Sequence, residues 1–125
     1  MERFLLHDAL AALSSFVGAA NRFVDSEQPW QLAKAAKAGD AGAAARLRAV
    51  LGDLLEACRV ISLAYGPFMP AASCRVSAQL GLAYGYDERG AGGQPLSEAV
   101  AWGSVGPGSV GTAEILFPRV DLTNN

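Results

Sequence analysis

Phe4, Leu5, Leu10, Leu13, Phe16, Val17, Ala20 and Phe23 or Val24 are apolar, and from Leu10 onward they recur at spacings of three and four. That spacing lines one face of an α-helix and predicts a helix over residues 1–25, ending near Asp25 and Ser26. Pro29 suits the first turn of a second, short helix over 29–38, with Ser26 or Gln28 near its start. The Ala- and Gly-rich stretch that follows holds a turn near Gly39 and Asp40. The stripe then resumes as Leu47, Val50, Leu51, Leu54, Leu55, Cys58, Ile61, Ser62 and Tyr65, which predicts a helix over 43–66 stopped by Gly66-Pro67. Pro70 opens a helix over 70–81, with Val76 and Leu80 on its apolar side. Residues 83–94 read as a glycine-rich loop, Ser97 as the cap of a short helix over 97–102, and 103–125 as an irregular strap. The expected fold is all-α: an antiparallel bundle of three main helices with shorter ones and a C-terminal strap.

Length and composition narrow the function classes. The chain has 125 residues, the size of one domain, with 51% hydrophobic and 18% charged residues, enough apolar material for one core. No apolar run reaches the length of a membrane span, so no membrane partner is expected. The opening residues do not read as a secretion signal, because Glu2 and Asp8 interrupt them and their apolar positions keep helical spacing. Two cysteines, Cys58 and Cys74, and one histidine fall short of a structural zinc site. Reduced thiols and a cytoplasmic location are expected. The net charge of −2 and pI near 5.3 count against holding DNA or RNA by charge alone. They leave open a domain that reads a few exposed bases by stacking and hydrogen bonds.

Four landmarks then occur in order: "AANRFVDSEQPWQLAK" at 19–34, "LGDLLEACRVISLAYGPFMP" at 51–70, "AQLGL" at 78–82, and "SEAVAWGSVGPGSVGTAEILFPRVD" at 97–121. Together they resemble the C-terminal anticodon-binding domain of the methionyl-tRNA synthetases. That family carries an Asn-x-Tyr/Phe, a Pro-Trp-x-x-x-Lys, a Pro-Phe-Met-Pro, a Leu-Gly, a Trp-Gly and a Leu-Phe-Pro-Arg. The resemblance covers nearly the whole chain. It implies an RNA-recognition module whose partner is the anticodon loop of a methionine tRNA. It also implies no catalytic residue, no metal and no cofactor in this chain. The ATP- and methionine-using catalytic domain of such enzymes, with its His-x-Gly-His and Lys-Met-Ser-Lys-Ser type motifs, has no counterpart here. The chain is then a fragment of a larger ligase or a free-standing copy of one module, with a synthetase catalytic domain as a further partner.

The resemblance distributes roles among particular residues. Trp102 is similar to the family's stacking platform for an unpaired anticodon base, and Gly103 beside it lets RNA approach the backbone. The plainer reading makes Trp102 a plug of the bundle. Polar side chains one turn apart on the first helix of family members read the anticodon cytosine. His7 and Ala11 fall near those positions, and Ala11 departs from the pattern because it cannot hydrogen-bond. Against this, His7 reads as an incidental surface residue. Asn21 is expected to make a structural hydrogen bond. Pro29, Pro67 and Pro70 are expected to shape the corners. Trp30 and Phe68 are expected in the core or against a catalytic domain. Arg59 is expected to be structural, through Glu56, a loop carbonyl or a phosphate. Cys58 is expected to be a small core residue. In the strap, Gly106, Pro107 and Gly108 make a turn, Leu116 and Phe117 anchor it by burial, and Arg119 makes a polar contact.

Two alternatives come from other classes. A detached helical module keeping only protein-docking surfaces fits Ala11 and the acidic pI. A small enzyme built on His7 and a cysteine lacks any visible base–nucleophile–orienter set.

Overall fold

The computed structural model describes residues 2–82, 86–87, 90–91, 95–103 and 116–117. Five helices account for most of these: α1 (Glu2–Glu27), α2 (Pro29–Lys37), α3 (Ala41–Ala64), α4 (Pro70–Gln79) and α5 (Leu96–Ala99). The fold is all-α. Within the stretch read as a glycine-rich loop, Tyr86–Asp87 and Gly90–Ala91 form a two-rung antiparallel ladder, pairing Tyr86 with Ala91 and Asp87 with Gly90.

Local chemistry sets the helix ends. Pro29 disfavours the right-handed helical conformation at Gln28, which takes a left-handed one (φ 46°, ψ 64°) and breaks α1 from α2. Neither Gln28 nor Ser26 caps α2 with its side chain; Ser26 instead donates to the Phe23 carbonyl. At the other end of α2, Gly39 sits at φ 100°. The Asp40 amide reaches the Ala35 carbonyl and the Gly39 amide the Ala36 carbonyl, a Schellman closure. Asp40 then caps α3, its carboxylate accepting the Ala43 amide at 3.0 Å, which starts α3 two residues earlier than its apolar pattern indicates. Pro70 occupies the first turn of α4. Ser97 is not the cap of α5. Pro95, held near helical φ by its ring, precedes the first turn, and the helix ends at Ala99, leaving Trp102 in the turn that follows.

Helix α3 is the hub on which α1, α2, α4 and α5 all pack. Its buried side is Ala43, Val50, Ala57 and Leu63, together with Glu56, Arg59 and Ser62. Leu63 and Ala99 form the centre of one apolar cluster, with Leu96 and Val100 against it. The stripe read from Leu47 to Tyr65 therefore faces inward only in part: Val50 is 1% exposed, whereas Leu51 is 45% exposed. Cys58, expected in the core, is exposed. It lies between buried Ala57 and Arg59, about 100° round the helix from each, and partial desolvation raises its thiol pKa and keeps it an unpromising nucleophile. No helix among the described residues is long and apolar enough to cross a membrane.

Candidate functional site

Helices α1 and α3 run antiparallel, the later turns of α1 facing the middle of α3. Phe16, Ala20 and Phe23 are spaced four and three apart, so they share one face of α1. Across from them stand Asp53, Leu54 and Ala57 of α3, and together they bound a groove of about 390 Å³. Trp102 stands at its edge and remains 57% exposed. Among the described residues that line the groove, Asp53 alone is charged.

The backbone on either side of Trp102 is fixed from below. Arg59 is 2% exposed and Glu56 7%. One turn apart on α3, they form a two-bonded ion pair, Arg59 Nε to Glu56 Oε2 at 2.9 Å and Nη2 to Oε1 at 2.6 Å. The guanidinium also donates to the carbonyl of Ala99 at 2.5 Å and of Ala101 at 2.8 Å. Glu56 Oε1 accepts the Gly103 amide at 2.7 Å. The Ala99 carbonyl is the last of α5, where helix carbonyls lack intrahelical partners and favour a cation, and the Ala101 carbonyl lies in the turn beyond it. Gly103 has φ 75°, in the left-handed region, so the turn leaves α5 in a direction that other residues adopt at a cost. Hydrogen bonds from Arg59 hold the Glu56 carboxyl below the usual carboxylate range. Burial opposes this, while the Gly103 amide and the guanidinium charge reinforce it. Only arginine presents donors in a planar fork wide enough for a carboxylate and two carbonyls at once.

The other residues singled out in the sequence fall elsewhere. His7 is exposed on α1. It lies nine residues before Phe16, about 13 Å along the helix axis, so the fold does not bring it to the groove beside Trp102, and the same holds for Ala11 in the turn between. Asn21 is exposed and makes no side-chain hydrogen bond among the described residues, contrary to expectation, because it lies off the face that α1 turns to α3. Trp30 is 51% exposed rather than core: α2 packs on α3 through its other side, with Pro29, Leu32 and Ala36 partly buried. Phe68 is partly buried, its ring edge-on to Tyr65 at 6.5 Å, in the α3–α4 corner where Pro67 and Pro70 are exposed. Phe117 is 68% exposed and does not anchor the strap by burial. Leu116 is partly buried beside Ile61 and Val76, and its carbonyl accepts from Arg75 at 3.1 Å. Arg119, Gly106, Pro107 and Gly108 lie outside the described residues.

Arg59 joins two of its three expected partners, the carboxylate and the loop carbonyls. Glu56 was legible only as an i,i+3 neighbour of Arg59; nothing local shows that the pair is buried. Phe16, Phe23 and Leu54 were legible as stripe residues, but not as walls of an open groove.

Methionine–tRNA ligases match this chain over almost all of its length. That of Caldanaerobacter subterraneus is 32% identical over 98% of the chain, that of Lactiplantibacillus plantarum 32% over 98%, and that of Synechocystis 27% over 97%. The chain is a relative of the methionine–tRNA ligases. It spans 17%, 16% and 22% of the length of these three relatives, so it corresponds to a part of such a synthetase. No family model matches the chain, and no solved structure matches it significantly. The synthetase kinship expected from the four landmarks and the all-α fold expected from the apolar pattern both hold.

Proposed function

We propose that this synthetase-type domain recognises RNA, reading the anticodon loop of a methionine tRNA without chemistry of its own. The observation that carries the reading is Trp102: a large aromatic, 57% exposed, at the edge of an apolar groove and on a backbone bonded from both sides. Exposed aromatics at an open groove suit unstacked bases, which have two apolar faces and polar edges. Asp53 repels phosphates, so within the groove it favours a base edge that donates hydrogen bonds over the backbone. ATP and methionine belong in this reading to the catalytic part of a ligase, and the domain needs no cofactor. A cytoplasmic location goes with it.

Titration of the chain with an anticodon stem-loop tests the proposal. A CAU loop should bind more tightly than a scrambled loop, and Trp102→Ala should weaken the CAU complex by ~1–3 kcal/mol. Equal binding of the two loops by the parent chain would reject the proposal. A second reading, a protein-docking module without RNA binding, is favoured by Leu5 and Leu6, which are 69% and 55% exposed on the first turns of α1. It takes over if the parent chain binds neither loop.

A further inference from the structure

Among the described residues, five hydrogen bonds involve Glu56 and Arg59. Three of them end on Ala99, Ala101 and Gly103, alternate residues of the turn that carries Trp102. The remaining two join the pair to itself. Replacing a buried ion pair with apolar groups of similar volume is often neutral for stability or better. Stability alone therefore gives little reason for charges at this place. What the pair supplies that apolar groups cannot is direction. The guanidinium fixes the carbonyl before Trp102 and the carboxylate fixes the amide after it, so both peptide groups flanking the indole are held. Gly103, at φ 75°, has no described residue within 4 Å of where a Cβ would stand, and the Glu56 carboxylate holds its amide at 2.7 Å.

We propose that Glu56 and Arg59 are positioning residues for Trp102: their buried ion pair holds the Ala101–Gly103 turn so that the indole is already in place when a base arrives to stack on it. The inference rests on the RNA-reading role of Trp102. Holding the platform in advance removes an ordering cost from binding. The effect therefore belongs to affinity and to the motion of Trp102 more than to the fold.

The chain has two tryptophans, so Trp30→Phe leaves Trp102 as the single fluorophore. In that background, Glu56→Gln, Arg59→Lys and the double variant Glu56→Met/Arg59→Met are compared with their parent by helical circular dichroism, time-resolved anisotropy of Trp102, and titration with a CAU stem-loop. The double variant removes the hydrogen bonds without leaving a lone buried charge, so it keeps the test open where a single variant unfolds. The folded double variant should show faster local depolarisation of Trp102 and bind the loop about 2- to 10-fold more weakly. Arg59→Lys should not restore the parental anisotropy, because one ammonium cannot serve a carboxylate and two carbonyls in a plane. A folded double variant with parental anisotropy overturns the proposal, and so does one with altered anisotropy and parental affinity. If none of the three variants folds, the pair is a structural element and the proposal fails. If the Trp30→Phe parent itself binds no loop, the RNA reading has failed. A parent that binds and a double variant that binds equally well remove only the positioning role.

Discussion

Glu56 accepts the amide of Gly103 at 2.7 Å across 47 residues of sequence, and in doing so ties the middle of α3 to the turn that carries Trp102. Its carboxyl is held below the usual range chiefly by hydrogen bonds from Arg59. A carboxyl with a depressed folded-state pKa contributes stability above its unfolded-state pKa and loses it as pH falls through the folded-state value. The chain should therefore keep its denaturant midpoint down to the ordinary carboxylate range and lose stability below it. Glu56→Gln should flatten that acid dependence. Urea titrations of both proteins across acid pH check this, and parallel acid limbs would remove Glu56 as the cause.

Leu63 is fully buried and Leu54 only partly so, as part of the groove wall. Leu63→Ala should cost ~2–5 kcal/mol, the range for emptying a packed site. Leu54→Ala should cost about half as much, because part of its surface already faces water. Denaturant midpoints with unchanged slopes give both values. Equal losses would mean that the groove is closed in solution.

Trp102 and Trp30 are exposed to similar extents, yet one stands at a groove and the other on the outer side of α2. Alanine at Trp102 should weaken the anticodon stem-loop complex by ~1–3 kcal/mol and leave the melt nearly unchanged. Alanine at Trp30 should leave both within ~0.5 kcal/mol, as for an ordinary surface site. The parent complex should also show a shallow dependence on salt, since a chain of net charge −2 makes few phosphate contacts. A steep salt slope, or a loss of affinity confined to Trp30→Ala, would move the RNA surface onto α2.

Gly103 occupies the left-handed region, and no described residue stands within 4 Å of where a side chain would begin. Gly103→Ala should therefore destabilise through its backbone alone, by ~1–2 kcal/mol. Gly103→Asn should cost less, because asparagine tolerates that conformation. Thermal melts of the two variants order them, and equal losses would point to a steric cause instead.

The helices of this protein are local facts. A stripe at intervals of three and four and a proline able to take only a first-turn position each act over a few residues, so α1 to α4 could be read from the chain, though the Asp40 cap that starts α3 was read only as a turn. Where two local signals competed, as Pro95 and Ser97 did before α5, the ring constraint prevailed over the weaker side-chain cap. The kinship with methionine–tRNA ligases was carried by short motifs and needed no geometry. Which side of each helix meets water was not local. Trp30, Asn21, Cys58 and Phe117 are exposed, and Glu56 and Arg59 are buried where α5, 40 residues away in sequence, folds back over them. An i,i+3 charge pair looks the same in sequence on a solvated face and under a packed turn. Only the packing of α5 onto α3 withdrew this one from water and directed its hydrogen bonds to the backbone around Trp102.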